Sequence, residues 1–123
     1  MCHHAFAADV TGSTVQRFVN SGGGGPEMTK ILLVQGANLT FLGRREPAIY
    51  DTTTAAELDA MLQCHARKHG YVLDIFYSNI EGEAINRIYR AVDEGFDGLV
   101  MNPAGFTYAG FALKDCVKGV GPP

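Results

Sequence analysis

The chain has 123 residues, 46% of them hydrophobic, and a net charge of −3 with both signs interspersed, which suits one domain with a substantial core and is too short for two. It contains no basic block and no basic amphipathic helix, so neither nucleic acid nor a membrane surface is expected as a partner. No apolar run approaches the roughly 20 residues of a membrane span, and the N-terminus lacks a basic region followed by a clean apolar stretch, so a soluble, cytoplasmic protein is expected.

Residues 1–27 differ from the rest, with only Asp9, Arg17 and Glu27 charged and a linker-like run from Ser21 to Pro26. They read as a disordered leader with no role in the fold, ahead of a domain over 28–123. The polyglycine has no Gly-Lys-Ser/Thr after it and no strand before it, so it is not a phosphate loop. Cys2, His3 and His4 have no second ligand pair to complete a metal site. The three cysteines, Cys2, Cys64 and Cys116, are an odd number without C-x-x-C spacing, which points to reduced thiols.

From Lys30 the pattern becomes regular. Ile31 to Val34 is a continuous apolar run too short for a helix, as a strand buried on both faces reads. The following stretch, Gly36 to Asp51, is a connection of about 16 residues where about 2 to 6 are usual, so it reads as a binding loop or lid. Thr54 and Glu57 form a capping box, Leu58, Met61, Leu62 and His65 form one buried helical stripe, and Gly70 ends that helix. A second strand is predicted over 71–77, with Ser78 and Asn79 capping the next helix. There Ile85, Ile88, Tyr89 and Val92 repeat the stripe and Gly95 stops it. A third strand over 98–102 leads into a glycine-punctuated loop over 103–110, and Leu113, Cys116, Val117 and Val120 form the stripe of a third helix. The alternation predicts an α/β fold, a flavodoxin-like doubly wound parallel sheet with strand order 2-1-3 for the part present, and both loops open onto the crevice at its switch point. Gly119 to Pro123 stops regular structure after three strands, leaving an apolar edge that such folds usually cover. The domain therefore reads as C-terminally incomplete.

Tyr50 and Arg45 carry the most chemistry in the long loop. A tyrosine with a reference pKa near 10 must come down by roughly 2 to 3 pH units, about 3 to 4 kcal/mol, to act as a base near neutrality. One guanidinium at about 4 Å supplies on the order of 4 kcal/mol at an effective dielectric of about 20, so the magnitude suffices. Arg44 and Arg45 together can also hold a carboxylate through paired hydrogen bonds. The alternative is a Tyr50 that packs over the sheet beside solvated arginines. Asn38 and Asn102, near the ends of inner strands, are placed to orient hydroxyls or water, although asparagine is also a common turn residue. Asp115, on the first turn of the third helix, can equally favour the helix dipole.

The segment G-A-N-L-T-F-L-G-R-R-E-P-A-I-Y, the S-N-I-E-G-E after the second strand and the block N-P-A-G-F-T-Y-A-G-F-A-L-K-D resemble the type II 3-dehydroquinate dehydratase family, from Lys30 to about Val120. The resemblance implies a flavodoxin-like fold, a dodecamer built from trimers, and cofactor-free, metal-free dehydration of 3-dehydroquinate to 3-dehydroshikimate, a step of biosynthetic and of quinate-degrading routes. It implies that Tyr50 is the base that removes the proton next to the ring ketone, that Arg45 lowers its pKa, and that Asn38 helps hold the water stabilising the enolate. It makes Asn102 a ligand of substrate hydroxyls and lets Asp115 reach a neighbouring subunit's site. Two departures stand out. Tyr108 replaces the family's substrate-binding histidine in T-H-T-S, and the family's later V-E-x-H-x-S-N segment, with the general acid and carboxylate contacts, has no counterpart, so low or no activity is expected. Two other readings remain: a related dehydratase acting on another cyclic polyhydroxy acid, and a non-catalytic flavodoxin-like binding module. A phosphoryl-receiver is disfavoured by Gln35 and Asn102 where aspartates would be needed, and a flavin carrier by the arginines of the first loop.

Overall fold

The computed structural model describes residues 13–19, 28–44 and 52–122. Its four strands are β1 (Thr14–Arg17), β2 (Lys30–Ala37), β3 (Val72–Tyr77) and β4 (Gly98–Ala104). Its helices are α1 (Ala55–His69), α2 (Glu81–Asp93) and α3 (Phe111–Val120), with short 3-10 turns at Leu39–Phe41 and Gly105–Tyr108. The sheet order is β1-β4-β2-β3, and β2 runs parallel to both of its neighbours. The three parallel strands β3, β2 and β4 thus take the expected 2-1-3 arrangement in a flavodoxin-like α/β layer.

The fourth strand is a correction. Thr14–Arg17, assigned by sequence to a leader without a role, pairs antiparallel with β4, setting Thr14 opposite Met101 and Arg17 opposite Gly98. It satisfies the row of backbone groups that β4 would otherwise present at an open edge. Phe18, 1% exposed, anchors the segment in the core, while its N–H donates to the Asp97 carbonyl and that of Val19 to the Val120 carbonyl. Gln16 Nε2 adds a 2.8 Å bond to the Val117 carbonyl.

Alternation along the strands divides the sheet into two faces. Leu32, Val34, Leu99 and Met101 point toward α2 and α3 and join Ile88, Leu113, Cys116 and Val120 in the main core. Ile31, Leu33, Gln35, Val100 and Asn102 line the other face, where α1 leaves a groove of about 640 Å³ beside Leu58 and Leu62. This explains why α1 departs from its predicted stripe. Leu58 and Ala66 are buried, Met61 and Leu62 are half-buried, and His65 is exposed with its Nδ1 2.8 Å from the Tyr71 hydroxyl.

Local signals account for the helix ends. The Thr54 hydroxyl accepts from the Glu57 N–H at 3.1 Å, and Gly70 closes α1 in the left-handed conformation at φ 71°. At α2 the Ser78 hydroxyl accepts from the Ile80 N–H at 2.9 Å and bonds Glu83 at 2.7 Å, whereas Asn79 turns elsewhere. The buried face of α2 is Ala84, Arg87, Ile88 and Ala91, so the expected stripe is displaced and Tyr89 is 49% exposed. The displacement follows the pairing of buried Arg87 with Asp74 on β3, its guanidinium 5.3 Å from the Phe96 ring. Asp115 lies past the first turn of α3, which contains no acidic residue, so the helix-dipole reading of it does not hold. Cys116 is free and buried.

Candidate active site

The carboxyl ends of β2, β3 and β4 meet where a doubly wound sheet presents ligands. Gly36 allows the closest approach: a Cβ there would lie 2.1 Å from the Pro103 carbonyl oxygen, so only glycine lets the ends of β2 and β4 run this near each other. One step further the two loops touch, since a Cβ on Gly105 would sit 2.9 Å from that of Ala37 and 3.0 Å from Asn38 Nδ2. Asn38 takes a left-handed conformation at φ 78°, which asparagine tolerates better than most residues, and its N–H donates to Asn79 Oδ1 at 2.8 Å. The structure therefore places Asn38 and the Asn102-bearing β4 loop at one crevice, with Asn79 bracing the first loop from the end of β3.

A row of polar side chains crosses the sheet beneath this crevice. Register places Gln35 opposite both Tyr77 on β3 and Asn102 on β4. Asn102 Nδ2 donates to Gln35 Oε1 at 2.8 Å, Tyr77 donates to Asp59 Oδ1 at 2.7 Å, and Ser13 Oγ donates to Asn102 Oδ1 at 2.6 Å. Burial, with the Asp59 carboxylate beside it, pushes the Tyr77 phenol well above its ordinary value, and a hydrogen bond from Gln35 opposes this only in part. Burial raises Tyr71 as well, and Cys116 and Asp115 raise Tyr89. These three phenols stay protonated and none is poised as a base near neutral pH.

The other anticipated residues are distributed unevenly. Arg45 and Tyr50 lie outside the described residues. Arg44 is exposed, with its guanidinium 4.6 Å from the centre of the Phe41 ring. Tyr108 is 90% exposed, and Asp115 is exposed on α3, so neither is enclosed with Asn102. Among the described residues no group of three histidine, cysteine or acidic side chains is arranged to hold a metal ion. Sequence reasoning passed over Ser13, Asp59 and Tyr77, used Gln35 only to disfavour a phosphoryl-receiver, and assigned Asn79 to a helix cap.

Residues 29–123 match the family model described as Dehydroquinase class II. The chain belongs to this family. A 3-dehydroquinate dehydratase of Thioalkalivibrio sulfidiphilus is 45% identical over 96 residues, covering 78% of this chain and 65% of the relative. A catabolic 3-dehydroquinase 1 of Neosartorya fischeri is 46% identical over 93 residues, covering 76% of this chain and 61% of the relative. This class II dehydroquinase chain thus spans just under two thirds of the length of such relatives. The type II dehydroquinase structure from Butyrivibrio crossotus superposes with a TM-score of 0.72 at 33% identity, covering 76% of this chain and 66% of that one. The structure from Propionibacterium acnes gives 0.69 at 32% identity, with 79% and 68% covered.

Proposed function

We propose that the chain carries the proton-abstracting part of a 3-dehydroquinate dehydratase site, in the reaction that converts 3-dehydroquinate to 3-dehydroshikimate and water. The observation that carries this reading is the convergence of Asn38 and Asn102 at the carboxyl ends of adjacent parallel strands, in a chain of the class II dehydroquinase family. Tyr50 takes the proton from the carbon next to the ring ketone, and the electron pair moves onto the ketone oxygen as an enolate. Collapse of the enolate expels the ring hydroxyl, which takes a proton from solvent and leaves as water. Arg45 lowers the Tyr50 pKa, Asn38 holds the water that stabilises the enolate oxygen, and Asn102 accepts a substrate hydroxyl. Assigning the base to Tyr50 fits the raised values of Tyr71, Tyr77 and Tyr89, which leave those phenols protonated.

Tyr108 stands where the family's histidine binds substrate, and as a neutral phenol it donates a hydrogen bond without carrying charge. Asp115 reaches the site of a neighbouring subunit in a dodecamer built from trimers; its exposure on α3, near exposed Phe111, supports this. The enzyme works in the cytoplasm on a free small molecule.

The test is appearance of the conjugated enone of 3-dehydroshikimate when the full chain is mixed with 3-dehydroquinate. Slow turnover that disappears in Tyr50→Phe is expected. Turnover that survives in Tyr50→Phe excludes the proposed base.

A further inference from the structure

The orientation of an asparagine amide decides whether it offers a ligand an acceptor or a donor, and in a connected network that orientation is set by its neighbours. Here the network has a fixed end. Asp59, as a carboxylate, can only accept, and Tyr77 spends its single proton on it at 2.7 Å. The Tyr77 oxygen is then left to accept, and Gln35, its cross-strand partner in the β2–β3 register, is the neighbouring amide whose hydrogen bonding opposes the rise of the Tyr77 phenol. With Gln35 Nε2 turned toward β3, its Oε1 faces β4 and accepts from Asn102 Nδ2 at 2.8 Å. Asn102 Oδ1 is in turn left facing outward, where the Ser13 hydroxyl donates to it at 2.6 Å. Ser13, Asn102, Gln35, Tyr77 and Asp59 thus form one row, from the residue just before β1 across β4, β2 and β3 to α1.

Resting on the dehydratase reading of the site, we infer that Gln35 is a positioning residue: it transmits the polarity set by Asp59 and Tyr77 to Asn102, so that Asn102 Oδ1 serves as an acceptor for a substrate hydroxyl. Gln35 is 1% exposed beneath the crevice, so its effect on a ligand runs through Asn102. A reversed Asn102 amide would set its oxygen against Gln35 Oε1 and its nitrogen toward the crevice, losing one buried hydrogen bond and adding a repulsion. The Ser13 hydroxyl already occupies the position in which a ligand hydroxyl would donate, and this shows which chemistry the outward atom selects. A cyclic polyol supplies such a donor, whereas an ether or ketone oxygen at the same place does not.

The test is a double-mutant cycle in the full chain on a Tyr50→Phe background, where 3-dehydroquinate persists and its affinity is read by NMR titration. Gln35→Leu should weaken binding roughly three- to tenfold, the size of one net hydrogen bond. Gln35→Glu, which keeps an oxygen for Asn102 Nδ2, should recover most of that loss. In an Asn102→Ala background Gln35→Leu should change affinity by less than about twofold, because the two residues act as one unit. Equal losses with and without Asn102 overturn the inference, as does unchanged affinity in Gln35→Leu. If the Asn102-containing parent fails to bind 3-dehydroquinate, the dehydratase reading falls, and hydrogen exchange of the Asn102 side-chain amide decides the positioning role. Slow exchange that becomes fast in Gln35→Leu supports it, and equal exchange in both proteins overturns it.

Discussion

Ala104 is the residue most at odds with its own conformation. It ends β4 at φ 49° and ψ −118°, a region that suits glycine and costs other residues of order 1–3 kcal/mol. The strain sits two residues beyond Asn102, where the chain must leave the sheet and bring Gly105 against Asn38. Replacing it with glycine removes the Cβ clash at the cost of extra freedom in the unfolded chain. Ala104→Gly should therefore raise stability by about 1 kcal/mol in urea denaturation, and a loss of that size would show that the conformation is unstrained. Such a position cannot be read from N-P-A-G, because nothing in the sequence says which residue turns the corner. Thr54 with Glu57, and Gly70 after α1, were legible because each acts on backbone groups within four residues of itself. The Tyr77, Gln35 and Asn102 row was not legible, because the Gln35–Asn102 bond joins residues 67 apart through strand register.

At the scale of elements, periodicity marked the helices and the three parallel strands, and it erred where tertiary partners decide. The α2 stripe shifted because Arg87 is buried to meet Asp74 on β3, and α1 leaves Met61 and Leu62 half-buried because it covers only part of its sheet face. β1 was missed although Thr-Val-Gln-Arg-Phe-Val is a plausible strand; the polar, glycine-rich surroundings outweighed six residues. Its attachment is nevertheless specific, combining the β4 ladder, the Gln16 bond to α3 and the buried Phe18 ring. Truncating a buried phenylalanine to alanine usually costs about 3–5 kcal/mol. Phe18→Ala should lower unfolding stability by an amount in that range. A stability equal to that of the parent would mean that β1 does not hold the β4 edge in solution.

Taken as a whole, the molecule has one sheet face closed by α2 and α3 and one only partly covered by α1, with the candidate site where the carboxyl ends of β2, β3 and β4 meet. The sequence carried the family motifs and the inner sheet order, while the antiparallel edge strand and the polar row depended on the assembled sheet. At this scale the proposed function rests on whether Tyr50 removes a proton next to a ketone. That step is separable from loss of the hydroxyl, because an enolate that is reprotonated from solvent leaves a label without dehydration. The measurement is proton NMR of 3-dehydroquinate in deuterated buffer with the full chain. Exchange of the proton next to the ring ketone, faster than in buffer and returned to the buffer rate by Tyr50→Phe, is the predicted result; exchange at the buffer rate with the folded parent chain would contradict it.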